Sequence, residues 1–327
     1  MMRSKESRQL HNQKKEELLI DDLINDFMLQ QRYQVKESTY AHYVSLLETH
    51  IRPYFGNMYV TEVTSGMIEL YASKKLQNGK LNKKGGLSPK TVKDLLSLIR
   101  LILKYGVTRG IIGQQVLFFS GPRITCKEIQ VFSKAEQKRL EDFVLKSEDT
   151  MHLGIYLSLY TGIRLGEICA LKWSDINFEE RYLNIDKTIS RIKNVESAGK
   201  KTKLLIDTPK TSASKRKIPL SIYLSELLLK HKQNAFSKDS FFLTGTEKFI
   251  EPRNYYNKYK SDLSQCDLSS YTFHALRHTF ATRCIEKGVD PKSLSEILGH
   301  ADVKITLDRY VHPSLEHKRA CMELLFS

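Results

Sequence analysis

The stretch HALRHTFATRCIEKG, residues 274–288, sets His274, Arg277 and His278 close together on a run whose Phe273, Leu276, Phe280, Ala281 and Cys284 form one apolar helical stripe. Thr272 is placed to cap that helix. His274 and Arg277 lie one turn apart and share a face. Taken alone, the pair reads as a histidine satisfied in the core beside an exposed arginine. His274 and His278 also have a spacing that can chelate a metal. No glutamate stands between them, however, and no third ligand follows at a telling distance, so no metal site is expected.

The company these residues keep changes that reading. TGIRLGEI (161–168) puts Arg164 just after a glycine turn, with Glu167 one helical turn on, where its carboxylate can hold the guanidinium in place. LGHADVKITLDRYVH (298–312) puts His300 directly after the helix-ending Gly299 and Tyr310 on a short helix that Asp302 can cap. DTPKTSASKRKIPL (207–220) puts Lys210 at the tip or edge of a strand pair, followed by Lys215, Arg216 and Lys217. Arginines, histidines, a lysine and a tyrosine in this combination suit phosphoryl transfer without a metal or other cofactor. The arginines can fork onto non-bridging oxygens and hold the charge of a pentavalent phosphorus. The tyrosine is the nucleophile, and its phenol, with a pKa of about 10, needs a base and a positive field to attack at neutral pH. A lysine on a mobile hairpin can protonate the leaving 5′ oxygen.

Elements able to position such a set follow from pattern and composition. The 327 residues exceed the usual size of one domain, so two domains are expected. Lysine and arginine outnumber aspartate and glutamate 52 to 37, a net charge of +15 with a pI near 9.4, which favours a polyanionic partner, nucleic acid ahead of anionic membrane. No apolar run is long enough to span a membrane, and the start lacks the apolar core of a secretion signal, so a cytoplasmic location is expected. Cys126, Cys169, Cys266, Cys284 and Cys321 are scattered without a CxxC pair and read as small core residues.

Residues 1–17 form a polar, basic tail. Residues 18–117 carry apolar positions at helical spacing and predict a helical bundle. Its last helix starts with Ser88 as cap and Pro89 as first residue, and buries Leu95, Leu96, Ile99 and Leu103. The lysine-rich KKLQNGKLNKKGG before it is a solvated loop or the start of a backbone-binding surface, and Lys84 in it, Lys90 at the start of the following helix, Lys215 and Arg216 are candidate DNA contacts. Residues 118–130, with a Gly-Pro pair, read as a linker. A second domain, 131–327, opens with a capping box at Ser133 and Glu136 and continues with the apolar MHLGIYLSLYTG as a central buried helix. Leu183, Ile185 and Ile189, then Leu205 and the residues around Ile218, alternate and predict a small antiparallel sheet before helices return. The fold class is mainly α with that small sheet.

TGIRLGE, TPKTSASKRKIPL, HALRHTFAT, LGH and TLDRYVH, in this order, resemble the signature set of the tyrosine recombinases, or phage integrase family. TYAHYVSLLETHIRPYFGNMYVTEVT and LSPKTVKDLLSLIRLILKYGV are similar to the helical core-binding domain of those enzymes, so the resemblance covers most of the chain. It implies a helical core-binding domain joined to a mixed α/β catalytic domain of the DNA breaking-rejoining type. It implies that Arg164 and Arg277 clamp the scissile phosphate, Lys210 is the general acid, His274 the base, His300 a hydrogen-bond donor to the phosphate and Tyr310 the nucleophile. The product is a 3′-phosphotyrosyl link with a free 5′ hydroxyl. That link stores the energy of the broken phosphodiester, so strand exchange needs neither ATP nor metal.

The same resemblance implies double-stranded core sites as partner, held mostly through phosphates. It further implies a homo-tetramer on two duplexes with exchange of the apolar C-terminal tail PSLEHKRACMELLFS, and accessory proteins that set direction or bend DNA. The enzyme would be the integrase of a phage or of a conjugative or other mobile element. Only about 17 residues precede the helical domain, where integrases of conjugative elements and of many phages often carry an arm-binding module, so the resemblance leaves two readings open: action at simple core sites, or a basic tail that is a remnant. A type IB topoisomerase-like enzyme and a DNA-binding protein without chemistry are the alternatives. The filled catalytic positions oppose the second, and paired sites with tetramer assembly separate the first.

Overall fold

The computed structural model describes residues 18–82, 84–125, 128–195, 199–208, 215–232, 237, 239–311, 319, 322 and 323. The basic tail 1–17, Lys210, Cys126, Cys321 and nearly all of the C-terminal apolar tail lie outside the described residues. The chain divides into two compact units, residues 1–127 with 192–203, and residues 128–191 with 204–327. Segment 192–203, assigned by its sequence to the second domain, thus groups with the helical unit. Within that unit Lys203 Nζ lies 2.5 Å from Glu37 Oε1. No helix among the described residues is long and apolar enough to cross a membrane.

The first unit is helical. α1 (Ile20–Gln34) is followed by α2 (Glu37–Leu46), which runs through a π-helical turn, Leu47–Ile51, into α3 (Arg52–Phe55). α4 (Ser65–Asn78) starts at Thr64, whose hydroxyl accepts from the Met67 N–H, and α5 (Pro89–Thr108) starts at Ser88, whose hydroxyl accepts from the Thr91 N–H. α4 continues to Asn78 and takes Lys74 and Lys75 into a helix, so the lysine-rich loop is shorter than its composition suggests. Leu23, Ile24, Ile68, Val92, Leu95 and Leu96 are almost wholly inaccessible and form the centre of the bundle. Each such side chain contributes roughly 1.5–3 kcal/mol by leaving water.

In the second unit α6 (Lys134–Val144) begins with the expected reciprocal cap: Ser133 Oγ accepts from the Glu136 N–H and Glu136 accepts from the Ser133 N–H. α7 (Thr150–Thr161) is the central helix, with Leu153, Ile155, Leu157 and Leu159 buried on several sides of it. Then come α8 (Leu165–Ala170), β1 (Ile176–Asn177), β2 (Tyr182–Ile185), β3 (Thr188–Lys193) and β4 (Thr202–Asp207), of which 192–193 and 202–203 fall in the first unit, and β5 (Arg216–Pro219). The strands make two sheets where one was expected. β1-β2-β5 is antiparallel, with Leu183 opposite Ile218, and β3 pairs with β4 separately, leaving Leu205 only half-buried.

α9 (Ile222–Lys232), α10 (Pro252–Gln265), α11 (His274–Glu286), α12 (Pro291–Leu298) and α13 (Val303–Tyr310) complete the unit, with α11 packed on α7 and α12 on α13. Phe273, Leu276 and Ala281 are buried as the apolar stripe of α11 requires. The Thr272 cap is not made. Phe273, with helical dihedrals, occupies the N-cap position, and the Thr272 carbonyl accepts from the Tyr259 hydroxyl.

Candidate active site

The ends of helices build this site. α7 stops at Gly162, whose φ of +64° suits glycine, and a Cβ there would lie 2.7 Å from Leu298 Cδ2 and 2.8 Å from Phe280 Cδ1. α12 stops in the same way at Gly299, with φ of +65°. These two terminations leave backbone carbonyls at the negative ends of two helices, and cations gather on them. Arg277, only 2% exposed, donates from Nη1 to the Gly162 carbonyl at 2.8 Å and from Nη2 to the Leu298 carbonyl at 2.7 Å. Arg164 Nη2 donates to the Gly299 carbonyl at 3.0 Å.

Glu167 is the carboxylate of the cluster. It accepts from the Arg164 backbone N–H at 2.9 Å, capping α8, and from Arg164 Nη1 at 2.8 Å, which orients the guanidinium as the short spacing led one to expect. It also accepts a fork from Arg216, Nη1 at 3.0 Å and Nη2 at 2.8 Å, while Arg216 Nε donates to the Ile297 carbonyl. This corrects the reading of Arg216 as a surface DNA contact: its side chain is 4% exposed and belongs to the interior. The physical reason is strand alternation, which turns Arg216 to the same face as buried Ile218 and leaves Lys217 outside. Burial alone would raise the Glu167 carboxyl, but the hydrogen bonds and charge of Arg216, then the charge of Arg164, hold it down to about 2.

Among the described residues Glu167 pairs with Arg164 and Arg216, while Arg277 forms no ion pair and meets only backbone carbonyls. Burial, then Arg164 and Arg216, push Arg277 down to about 9, still cationic at neutral pH. A buried arginine that spends two donors on carbonyls and lacks a counter-ion suits a bound anion.

Around it stand the remaining candidates. Tyr310, the last residue of α13, is 6% exposed, and its hydroxyl lies 2.7 Å from His278 Nδ1. Asp302 caps that helix as expected, accepting from the Lys304 N–H. The His300 ring is parallel to the Tyr310 ring with centroids 6.5 Å apart, and its Nδ1 lies 2.8 Å from the hydroxyl of buried Thr306. His274 stands on the open side, its ring edge-on to His278 at 4.5 Å. Burial and the surrounding arginines lower His300 to about 3, burial and then Arg309 and Arg277 lower His278 to about 4, and burial, His278 and Arg277 lower His274 to about 4. All three imidazoles are therefore neutral at pH 7. Burial raises the Tyr310 phenol, against the opposing pull of Arg277, Arg309 and Arg164.

The structure thus brings Arg164, Glu167, Arg277, His274, His300 and Tyr310 to one place, while Lys210 lies outside the described residues. Lys84, Lys90 and Lys215 are exposed. Sequence reasoning missed Arg216 as an interior partner, Thr306 as the anchor of His300, and His278 as the neighbour of the phenol. Alternation with Ile218 signalled the first, and nothing local signalled the other two. Among the described residues no group of His, Cys, Asp or Glu is arranged to hold a metal.

Residues 130–317 match the Phage integrase family, and residues 20–76 match the Phage integrase N-terminal SAM-like domain. The chain belongs to the phage integrase family. It is a tyrosine-type site-specific recombinase. A tyrosine recombinase XerC-like protein of Caldanaerobacter subterraneus is 29% identical over 95% of this chain and 83% of its own length. The transposase from transposon Tn916 of Enterococcus faecalis is 30% identical over 52% of this chain and 44% of its own length. Among solved structures, the Tn1549 transposon integrase in complex with a circular intermediate DNA superposes with a TM-score of 0.75 at 22% identity, over 94% of this chain and 99% of that one. The two-part, mainly helical fold is that of this family.

Proposed function

We propose that this recombinase integrates and excises a mobile element by cutting and rejoining duplex DNA at paired core sites through a 3′-phosphotyrosyl intermediate. The observation that carries the proposal is the uncompensated guanidinium of Arg277 beside the Glu167-held Arg164, next to a buried tyrosine hydroxyl. A phosphodiester supplies one negative charge on binding, and a pentavalent phosphorus supplies more, so the cluster is attracted more strongly to the transition state than to the ground state. Neutral His300, with Nδ1 engaged by Thr306, keeps Nε2 for the phosphate. Tyr310 attacks the phosphorus, the bond to the 5′ oxygen breaks, and Lys210 supplies the proton that oxygen needs. Neither metal nor ATP enters the scheme.

Duplex core sites are the partner in this reading, gripped through phosphates by exposed lysines such as Lys84, Lys90 and Lys215. Four copies assemble on two duplexes, the C-terminal tail passes to a neighbour, and accessory proteins set direction. The test uses a nicked duplex carrying the core repeat from the ends of the element, so that the cleaved strand diffuses away. A covalent protein–DNA adduct is expected, and is absent in Tyr310→Phe. Joining of two intact sites distinguishes recombination from relaxation of supercoils alone, and absence of any adduct on the cognate site overturns the proposal.

A further inference from the structure

The Tyr310 hydroxyl has one close imidazole neighbour, and it is not His274. His278 Nδ1 lies 2.7 Å from the phenol oxygen, both side chains are buried, and the rings are 5.7 Å apart. The positive charge of Arg309 beside the phenol works against the effect of burial. A buried phenol O–H requires an acceptor. His278 is neutral at pH 7, and its Nδ1 is the ring nitrogen within reach of that O–H. His274 makes no hydrogen bond among the described residues and stands on the open side of the cleft.

We infer that His278 is a further catalytic residue: its Nδ1 takes the proton of Tyr310 as the phenol attacks, and returns it when the DNA strand is rejoined. The inference rests on Tyr310 being the nucleophile. In cleavage the phenol O–H bond breaks, its proton goes to Nδ1, the oxygen bonds to phosphorus, and the bond from phosphorus to the 5′ oxygen breaks with that oxygen protonated by Lys210. In rejoining, the 5′ hydroxyl gives its proton back to Lys210 and attacks, and the departing phenolate recovers its proton from the His278 imidazolium. Protons and charge balance over the cycle with no other reactant. His274 is then left free to face the phosphate.

Base strength follows from the same surroundings. Burial, Arg309 and Arg277 disfavour an imidazolium at His278, and His274 is its ring neighbour. A phosphodiester seated on Arg277 and Arg164 brings negative charge beside those guanidinium groups and offsets their field, so His278 becomes a better proton acceptor when DNA is bound. The empty site thus holds a weak base and the loaded site a stronger one.

Single-turnover cleavage of the nicked duplex tests this, with cleavage measured by adduct formation and DNA affinity measured separately. His278→Asn keeps a hydrogen-bond acceptor but no base, and His278→Gln serves as a second variant. Both are expected to bind DNA like the parent and to cleave roughly 10²–10⁴-fold more slowly. Their rates should climb about tenfold per pH unit above about pH 7, as hydroxide replaces the base, while the parent and His274→Asn do not. A substrate with sulfur in place of the bridging 5′ oxygen leaves without a proton. It is expected to rescue Lys210→Ala and not His278→Asn. Cleavage by His278→Asn within about threefold of the parent, a defect that is flat with pH, or rescue by the sulfur substrate overturns the inference. Failure of the parent to form any adduct overturns instead the reading of Tyr310 as nucleophile, and the inference with it.

Discussion

Arg277 is 2% exposed and fixed on two helix-terminal carbonyls, whereas Lys84 and Lys90 of the helical unit stand in solvent without an ion-pair partner among the described residues. Both carry one positive charge, and they are built for different tasks. A buried guanidinium has lost its hydration and its freedom before any ligand arrives, so its attraction to an anion is strong and geometrically selective. An exposed lysine keeps its water and its rotamers, and its interaction with a phosphate is weak, forgiving and screened by salt. The interior set suits the reacting phosphorus, and the exterior set suits affinity for DNA of any sequence.

Substitutions can break that contrast, and the largest effect is expected at Arg277. Arg277→Ala should lower single-turnover cleavage by roughly 10³-fold or more while DNA affinity changes little, because the missing interaction is strongest in the transition state. Should affinity fall as far as cleavage, the distinction between interior and exterior cations would disappear. Glu167→Gln comes next and is read as stability. Removing the carboxylate breaks the buried Glu167–Arg216 ion pair, at a cost of about 3–5 kcal/mol, visible as a lower melting temperature.

The same carboxylate sharpens the comparison through pH. Its folded pKa of about 2 lies below the ordinary carboxylate value of 4.5, so its contribution is fully present above about pH 4.5 and is lost as pH falls through about 2. Roughly 3 kcal/mol is at stake, and denaturant titrations of the parent and Glu167→Gln across this window should converge at the acid end. His274, His278 and His300 act in the same direction at higher pH. Their folded values of about 4, 4 and 3 are below the usual 6.5, so folding is progressively disfavoured as pH drops below about 6.5. Bound DNA should blunt that loss.

Thr306→Val is expected to have a smaller effect, about tenfold on cleavage, since it frees His300 to rotate without removing it. An unchanged rate would show that the Thr306 hydroxyl does not hold the imidazole for catalysis. Smallest should be Lys84→Ala and Lys90→Ala, each weakening DNA binding several-fold and reducing the slope of log affinity against log salt by about 0.9 for each phosphate that is no longer neutralised. Cleavage of fully bound DNA should not change with either.

Several elements were legible before the fold was known. The Ser133–Glu136 box, the Ser88 and Asp302 caps and the glycine ends of α7 and α12 depend on residues within a turn of one another, and each forms as its local spacing dictates. Thr272 was misjudged because Phe273 takes helical dihedrals and occupies the cap position itself. Arg216 was misjudged because a KRK run looks like a solvated charge cluster, although strand alternation sends its middle member inward to Glu167. His278 was passed over because a helical wheel tells which side a residue is on and not what packs there.

The amino-acid sequence by itself therefore determined most of the helix ends and the kinds of side chain available for phosphoryl transfer, since these are set by neighbours along the chain. Tertiary structure alone decided which carbonyls receive Arg277, that Glu167 serves two arginines, and that the phenol meets His278. Those meetings join segments as far apart as Gly162 and Arg277, separated by 115 positions, and arise only when packed helices bring their ends together. No local periodicity encodes such an encounter.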